Sequence, residues 1–209
     1  MAGKLNIKTI SDAAVKFQFT VKNDDWLNNV PAKKIPDSLS KEITLIKRKY
    51  PYKISEAAIC ETIIFPLLKS VWFDYQDDLT IWSHKMIRYN NTFVAIPDYL
   101  IGKQSDLGET IFGLPLLMAV IEAKKDNFEW GWGQCSSEMY IIQQNNKNPN
   151  LPVYGMVSNG DNWEFGILEN NKLTVNPKGY TIDEIDQLYS VIHYIFKLCK
   201  QNALKIKNN

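Results

Sequence analysis

The run Pro115–Ile121, PLLMAVI, is nearly continuously apolar and ends abruptly at Glu122. Successive side chains of a strand point to opposite faces, so a strand apolar on both has no side to offer to water. Such a strand belongs in the centre of a sheet that is covered above and below. That requirement points to a layered fold in which helices flank the sheet.

The rest of the chain supplies the layers. In Ser55–Trp72, SEAAICETIIFPLLKSVW, the series Ile59, Ile63, Leu67 and Ile64, Leu68, Trp72 has helical spacing and predicts a broad buried face. Ser55 is the expected N-cap, with Glu56 in the first turn, where the helix dipole favours negative charge. Pro66 is expected to kink or split this helix. Extended segments follow at about 79–89 (LTIWSHKMIRY) and 92–103 (TFVAIPDYLIGK), with the turn signal Asn90-Asn91 between them. A polar loop containing Gly108 and Gly113 leads into the apolar run. Residues 131–145 read as a helix with Met139, Ile141 and Ile142 inward, and PVYGMVSNGDNWEFGIL as a hairpin around Asn159-Gly160-Asp161. Residues 181–204 form a C-terminal amphipathic helix capped by Thr181. The predicted order is helix, three strands, helix, two strands, helix: a mixed β-sheet flanked by α-helices, an α/β sandwich.

Residues 1–54 are less readable. LNIKT and AVKFQFT alternate enough to suggest short strands or extended pieces, Pro31 and Pro36 interrupt the chain, and Ser40 is the expected cap of a helix KEITLIKRK. At 209 residues the chain has the length of one domain, or of one domain with an appendage.

Bulk properties exclude several classes. A hydrophobic fraction of 45% and a charged fraction of 22% describe an ordinary globular chain. The formal net charge of +1 advertises no nucleic-acid partner through a global field. A local basic face remains, in Lys47, Arg48, Lys49 and Lys53 with Tyr50 and Tyr52 between them, although a solvated helix end has the same composition. Cys60, Cys135 and Cys199 are far apart and lack CxxC spacing, which argues against a disulfide framework or a zinc cluster and fits a reducing cytoplasm. MAGKLNIKTISD has no apolar core of a signal peptide, and no apolar run approaches the roughly 20 residues that span a bilayer, so no membrane partner is expected. No Walker A, GxGxxG or GxSxG motif is present.

Polar groups that end apolar strands need a reason. Asp98 follows FVAIP, while Glu122 and Lys124 follow PLLMAVI. Residues two apart on a strand share a face, so Glu122 and Lys124 are expected to point one way, and a hairpin pairing would bring Asp98 beside Glu122. Two carboxylates held close repel unless something compensates, and a hard divalent cation does so. Mg²⁺ takes oxygen ligands at roughly 2.1 Å and keeps several waters. Asp98, Glu122 and the carbonyl of Ala123 offer one side of such a shell, leaving room for a phosphodiester oxygen and water. Lys124 is placed to orient the water and to stabilise developing negative charge. Taken alone, either motif is also what a salt bridge at a strand end would look like; the combination in this order carries the weight.

With these residues in view, IPDYLIG…LLMAVIEAKK…GQ resembles the PD-(D/E)xK phosphodiesterase superfamily, and within it the RecB-type nucleases and the N-terminal nuclease regions of type I restriction subunits. The resemblance covers roughly residues 55–168. It implies a restriction-endonuclease-like fold for a single domain 1–209, with 1–54 as an N-terminal extension and 181–204 as the closing helix. It implies a divalent-metal-dependent endodeoxyribonuclease using Mg²⁺ or Mn²⁺, with DNA as partner, in restriction or repair, leaving a 5′-phosphate. A homodimer and a restriction-modification or repair protein are the further partners it suggests. Asp98, Glu122 and Lys124 are the essential set it assigns. It adds Gln134 on the helix after the ExK strand, and an acidic residue on the preceding helix, Glu56 or Glu61, of which Glu61 is the more central. Glu138 stands four residues after Gln134 where those families carry Tyr, a departure that puts the DNA-positioning role of Gln134 in question.

Trp130 and Trp132 flank Gly131 near the expected site and would stack on unpaired bases or pack the helix start; Trp163 and Phe165 read as core. His193 lies on an apolar helix and reads as structural, whereas His84 lies in a strand next to the active ones. The rival class of function is a catalytically silent nucleic-acid-binding or assembly module that kept the nuclease fold.

Overall fold

The computed structural model describes residues 3–4, 7–89, 93–108, 110–111, 113–122 and 127–205, with the side chains of 3–4 and 119–122 outside the description. The apolar run forms the strand β7 (Leu116–Glu122). Its neighbours, with bounds in chain order, are β2 (Thr20–Asn23), β3 (Leu79–Ser83), β6 (Tyr99–Lys103), β8 (Val153–Ser158), β9 (Asn162–Glu169) and β10 (Lys172–Val175). The large sheet runs β2-β10-β9-β8-β7-β6-β3, so β7 is interior as its composition requires, and a short β11 (Tyr180–Thr181) pairs with β9. β7 pairs antiparallel with β6 and parallel with β8, which makes the sheet mixed. The parallel step needs a crossover, and the helix α5 (Phe128–Asn146) supplies it. The expected hairpin around Asn159-Gly160-Asp161 is β8 and β9.

Two cores lie on the two faces. One buries Ile63, Leu67, Leu68, Tyr99, Ile101, Trp163 and Phe196 under α4 (Phe65–Trp72) and α6 (Ile185–Lys205). The other buries Phe17, Leu100, Trp132, Met139 and Leu173 under α1 (Ile10–Phe17) and α5. Tyr99 and Ile101 go one way and Leu100 the other, the alternation that a strand buried on both faces demands. The chain is therefore a mixed sheet flanked by helices. Among the described residues no helix is long and apolar enough to cross a membrane.

The N-terminal region departs from its sequence reading. AVKF is not a strand but the second half of α1, capped by the Thr9 side chain, which accepts from the Asp12 N–H at 3.0 Å. α2 spans Asp37–Lys49, so Ser40 lies inside it rather than at its start. These elements are woven into the fold: β2 is an edge strand of the large sheet, and Leu27, Ile35, Leu39 and Ile43 are buried in the first core. A Cβ on Gly133 of α5 would meet the backbone of Lys8 and Thr9 at 2.5 Å, so only glycine lets α1 start so close to α5.

The helix from Ser55 also differs in detail. Ser55 caps it as expected, accepting from the Ala58 N–H at 3.1 Å. α3 (Glu56–Ile59) then runs into a wider π-type turn, Cys60–Ile64, in which the Phe65 N–H reaches back to the Cys60 carbonyl. Pro66 stands in the first turn of α4, where its missing N–H costs no helical hydrogen bond. Such turns inside helices are frequent at functional sites.

The segments 79–89 and 92–103 are not two uninterrupted strands. The small sheet holds β1 (Gly3–Lys4), β4 (Ile87–Tyr89) and β5 (Phe93–Ala95), while β3 and β6 belong to the large one. Both halves keep one antiparallel register, Ser83↔Tyr99 and Ile87↔Ala95. They are thus one long hairpin that bends from sheet to sheet. The bend falls at His84, whose φ of 48° lies in the left-handed region, opposite Asp98.

Candidate functional site

The bend decides where Asp98 sits. Asp98 does not end the FVA strand; it immediately precedes β6, at the end of the large sheet where β7 terminates. Tyr99 pairs with Val120, so Asp98 is level with Ile121 and Glu122 lies one residue further along β7. Glu122 is the last rung of β7, paired with Ser158 of β8. The register therefore brings the Asp98 and Glu122 backbone positions to one corner of the sheet. The Glu122 side chain, and the whole of Ala123 and Lys124, lie outside the described residues.

His84 belongs to this corner. Its N–H donates to the Asp98 carbonyl at 3.0 Å, and its Nε2 stands 3.6 Å from Asp98 Oδ1. Its Nδ1 is 2.9 Å from Ser83 Oγ. Residues in the left-handed region cost free energy unless the surroundings impose it, and such strain gathers at functional positions. The strained His84 is thus the residue that holds the approach to Asp98. Its sequence neighbours gave no sign of it, because the bend is a property of two strands pairing rather than of either one.

Tyr99 ties the corner to the preceding helix. Its hydroxyl donates to the Cys60 carbonyl at 3.2 Å, across the π-type turn that carries Glu61. Burial pushes the Tyr99 hydroxyl far above its ordinary pKa, and the nearby Cys60, Asp98 and Glu61 push the same way. Asp98 and Glu61 therefore both lie within electrostatic reach of one buried oxygen. Glu56, by contrast, occupies the first turn of α3, where the helix dipole favours a carboxylate.

Gln134 approaches from the opposite layer. It lines a cavity of about 20 Å³ with Ile7, Val94, Ala95, Ile96 and Glu138, and Ile96 is two residues from Asp98. Its Nε2 donates to Glu138 Oε1 at 3.2 Å. Glu138 is buried, at 3% exposure, a carboxylate that the sequence marks only as a departure from the family pattern. The signal was its spacing: an acid four residues after Gln134, one turn on along the same helix face.

The aromatic residues divide. Trp132 is core, its Nε1 donating to Glu164 Oε2 at 2.6 Å. Trp163 and Phe165 are fully buried. Trp130 is 48% exposed, with the Lys8 ammonium 5.3 Å from its ring centre. His193 is held between Tyr75 and Asp74, and burial lowers its pKa although Asp74 opposes the shift. The three cysteines are free and buried.

Of the basic run, Lys47, Arg48 and Lys49 close α2. Lys47 pairs with Asp183 at 2.5 Å and Lys53 with Asp161. Asp161 also accepts from the Tyr52 hydroxyl at 2.7 Å. Burial alone would raise the Asp161 pKa, but the hydrogen bonds from Lys53 and Tyr52 hold it below the usual carboxylate value.

Beyond the Ser158 rung opens a cleft of about 660 Å³, whose lining includes Lys53, Phe128, Asn159, Asn162, Glu164 and Tyr180. A second cleft of about 560 Å³, with Lys33, Lys34, Lys178 and Asp186 in its wall, meets the first at Tyr180 and holds none of the expected site residues.

Among the described residues no three His, Cys, Asp or Glu side chains converge closely enough to hold a metal ion. Asp98 with His84 is a two-donor start, one hard oxygen and one imidazole nitrogen, at the corner where β7 delivers Glu122. No protein-family model matches this chain, and no curated protein matches it.

Proposed function

We propose that this chain is a divalent-metal-dependent DNA nuclease with a restriction-endonuclease-like sheet, working through Asp98, Glu122 and Lys124. The observation that carries the reading is the β6–β7 register, which brings Asp98 and Glu122 to one corner. Nothing in the packing of an apolar strand such as β7 calls for an acid and a lysine to follow it in the sequence, so Glu122 and Lys124 ask for a chemical reason.

The donor set suits a hard cation, Mg²⁺ or Mn²⁺, held by Asp98, Glu122 and the Ala123 carbonyl. When bound, the ion supplies charge neutralisation to a phosphodiester and acidity to a coordinated water. The chain's own residues do the rest. Lys124 places a compact positive charge where negative charge develops on the phosphoryl oxygens. His84 holds Asp98 in position through the bend, and Tyr99 holds the Glu61 turn against β6. Gln134, braced by Glu138, positions the strand. Water adds to phosphorus, the bond to the 3′ oxygen breaks, and a 5′-phosphate and a 3′-hydroxyl remain. A second copy of the chain, or a restriction-modification or repair protein, is the partner such an activity calls for.

The test is cleavage of plasmid and single-stranded DNA in Mg²⁺, Mn²⁺ and EDTA, with Lys124→Ala and Asp98→Ala beside wild type. Metal-dependent cleavage lost in both variants, with unchanged thermal melts, is the expected result. Cleavage retained in either variant sinks the reading.

The formal net charge of +1 favours a second reading, a catalytically silent nucleic-acid-binding or assembly module. DNA binding with no metal-stimulated cleavage would select that alternative.

A further inference from the structure

The cleft beyond the Ser158 rung is built from parts that the reaction above leaves unused. Ser158 is the β8 partner of Glu122, one interstrand spacing of about 4.8 Å away. Asn159 follows it directly into the cleft wall, and Phe128 opens α5 a few residues after Glu122. Whatever lies over the Asp98–Glu122 corner has this cleft as its neighbour. Its volume of about 660 Å³ falls within the range of small-molecule and nucleotide sites.

The chemistry of the wall selects the occupant. Asp161 and Glu164 give the cleft two carboxylates against one ammonium, Lys53, which is itself paired with Asp161. Among the described residues that balance offers a phosphate no free ammonium. Half-buried Phe128 supplies apolar surface for the face of a flat ring, on a wall backed by the buried Trp163 and Tyr180. Asn162 and Glu164 supply polar groups for its edge. Glu164 is held in place by its bond from Trp132 Nε1, and among the described residues its other oxygen has no hydrogen-bond partner. A fixed, acceptor-only carboxylate reads an exocyclic amino group, as Glu does with cytosine N4.

We propose that this cleft takes an unstacked nucleobase bearing an exocyclic amino group, from the nucleotide flanking the bond to be cut, with Glu164 reading its edge and Phe128 its face. The inference rests on the nuclease reading and gives that site a substrate class: a strand with at least one base out of the helix, preferring cytosine to thymine at the flanking position. Extruding a base costs least where it is already unpaired, so single-stranded or damaged DNA is favoured.

The experiment measures binding of the full chain to fluorescently labelled dC12 and dT12 by anisotropy in EDTA, where no hydrolysis occurs. Wild type is expected to bind dC12 about tenfold more tightly, within the discrimination of one good edge contact. Glu164→Gln keeps an acceptor for Trp132 but adds a donor, and should bring the two affinities within about twofold. Phe128→Ala should weaken both by about tenfold, the loss of one stacking contact. Asn162→Ala, at an exposed position, gives a variant free of core disturbance and should narrow the preference as well. Binding without preference, or a preference that survives both Glu164→Gln and Asn162→Ala, overturns the inference; Lys124-dependent cleavage would then still stand by itself. Neither binding nor cleavage would overturn both.

Discussion

Substituting Gly133 by alanine sets two opposed effects against each other, and the structure decides between them. In a helix interior alanine is favoured over glycine by about 1 kcal/mol, so an isolated helix would gain from the change. Here the added Cβ would stand 2.5 Å from the backbone of Lys8 and Thr9 and 2.9 Å from the Ile7 carbonyl. Backbone atoms have no rotamer to escape into, so the start of α1 must retreat by about 1 Å to reach ordinary contact. A gap of that size forfeits a quarter to a half of the dispersion attraction across it. α1 buries Ala13 and Phe17, the latter stacked on Tyr140 at 4.4 Å. Full burial of a Phe contributes about 1.5–3 kcal/mol, so loosening this contact costs about 1 kcal/mol. Overpacking strain adds about 1–3 kcal/mol. The clash outweighs the propensity gain, and Gly133→Ala should lose about 1–3 kcal/mol, a fall in Tm of about 2–12 °C for a chain of this size. Urea titration followed by far-UV circular dichroism measures it. A variant as stable as wild type, or more so, would refute the close docking of α1 on α5.

Other substitutions probe the corner and the core. Tyr99→Phe removes the bond to the Cys60 carbonyl and should cost about 1 kcal/mol in denaturant unfolding while lowering metal-stimulated cleavage, because the Glu61 turn loosens. His84→Gly accommodates the left-handed backbone but deletes the imidazole beside Asp98; thermal melts should stay within about 0.5 kcal/mol of wild type while calorimetric Mn²⁺ affinity falls severalfold, and unchanged affinity would remove His84 from the site. Asp161, whose pKa is depressed in the fold, contributes stability that is present above its unfolded value near 3.9 and is lost as pH falls through the lower folded value. Asp161→Asn should therefore be less stable than wild type at pH 7 by about 1.5–3 kcal/mol, and the gap should narrow as pH falls below the ordinary carboxylate range. Leu67→Ala, at a fully buried position under α6, should cost about 2–5 kcal/mol.

What the sequence made legible follows from the range over which each signal acts. Local periodicity and capping were enough for α5, the β8–β9 hairpin, the Ser55 cap and the interior place of β7. Each is set by residues within one element. The bend at His84 and Asp98 was not legible, because both strands read as continuous and only their membership of different sheets divides them. AVKF alternates like a strand yet joins α1, since Thr9 supplies a cap and Gly133, far along the chain, supplies the docking space. Glu56 lies in the first turn of α3 and Glu61 in the π-type turn, and such a turn has no sequence signature of its own. Asp98 and Glu122 were expected to meet, and their strands do pair; the convergence with Lys124 rests on residues outside the description.

The parallel pairing of β2 with β10 joins Val21 to Leu173. A ribosome delivers the first of these roughly 8–30 s before the second, at about 5–20 residues per second. Throughout that interval the amino-terminal strand has no ladder to join and α1 has no Gly133 to dock on. The first residues made are thus among the last to settle, and until the far end emerges the nascent chain exposes the edge of β10's future neighbour and the apolar face of α1. Chaperone contact early in synthesis, rather than after release, is where this topology places its demand.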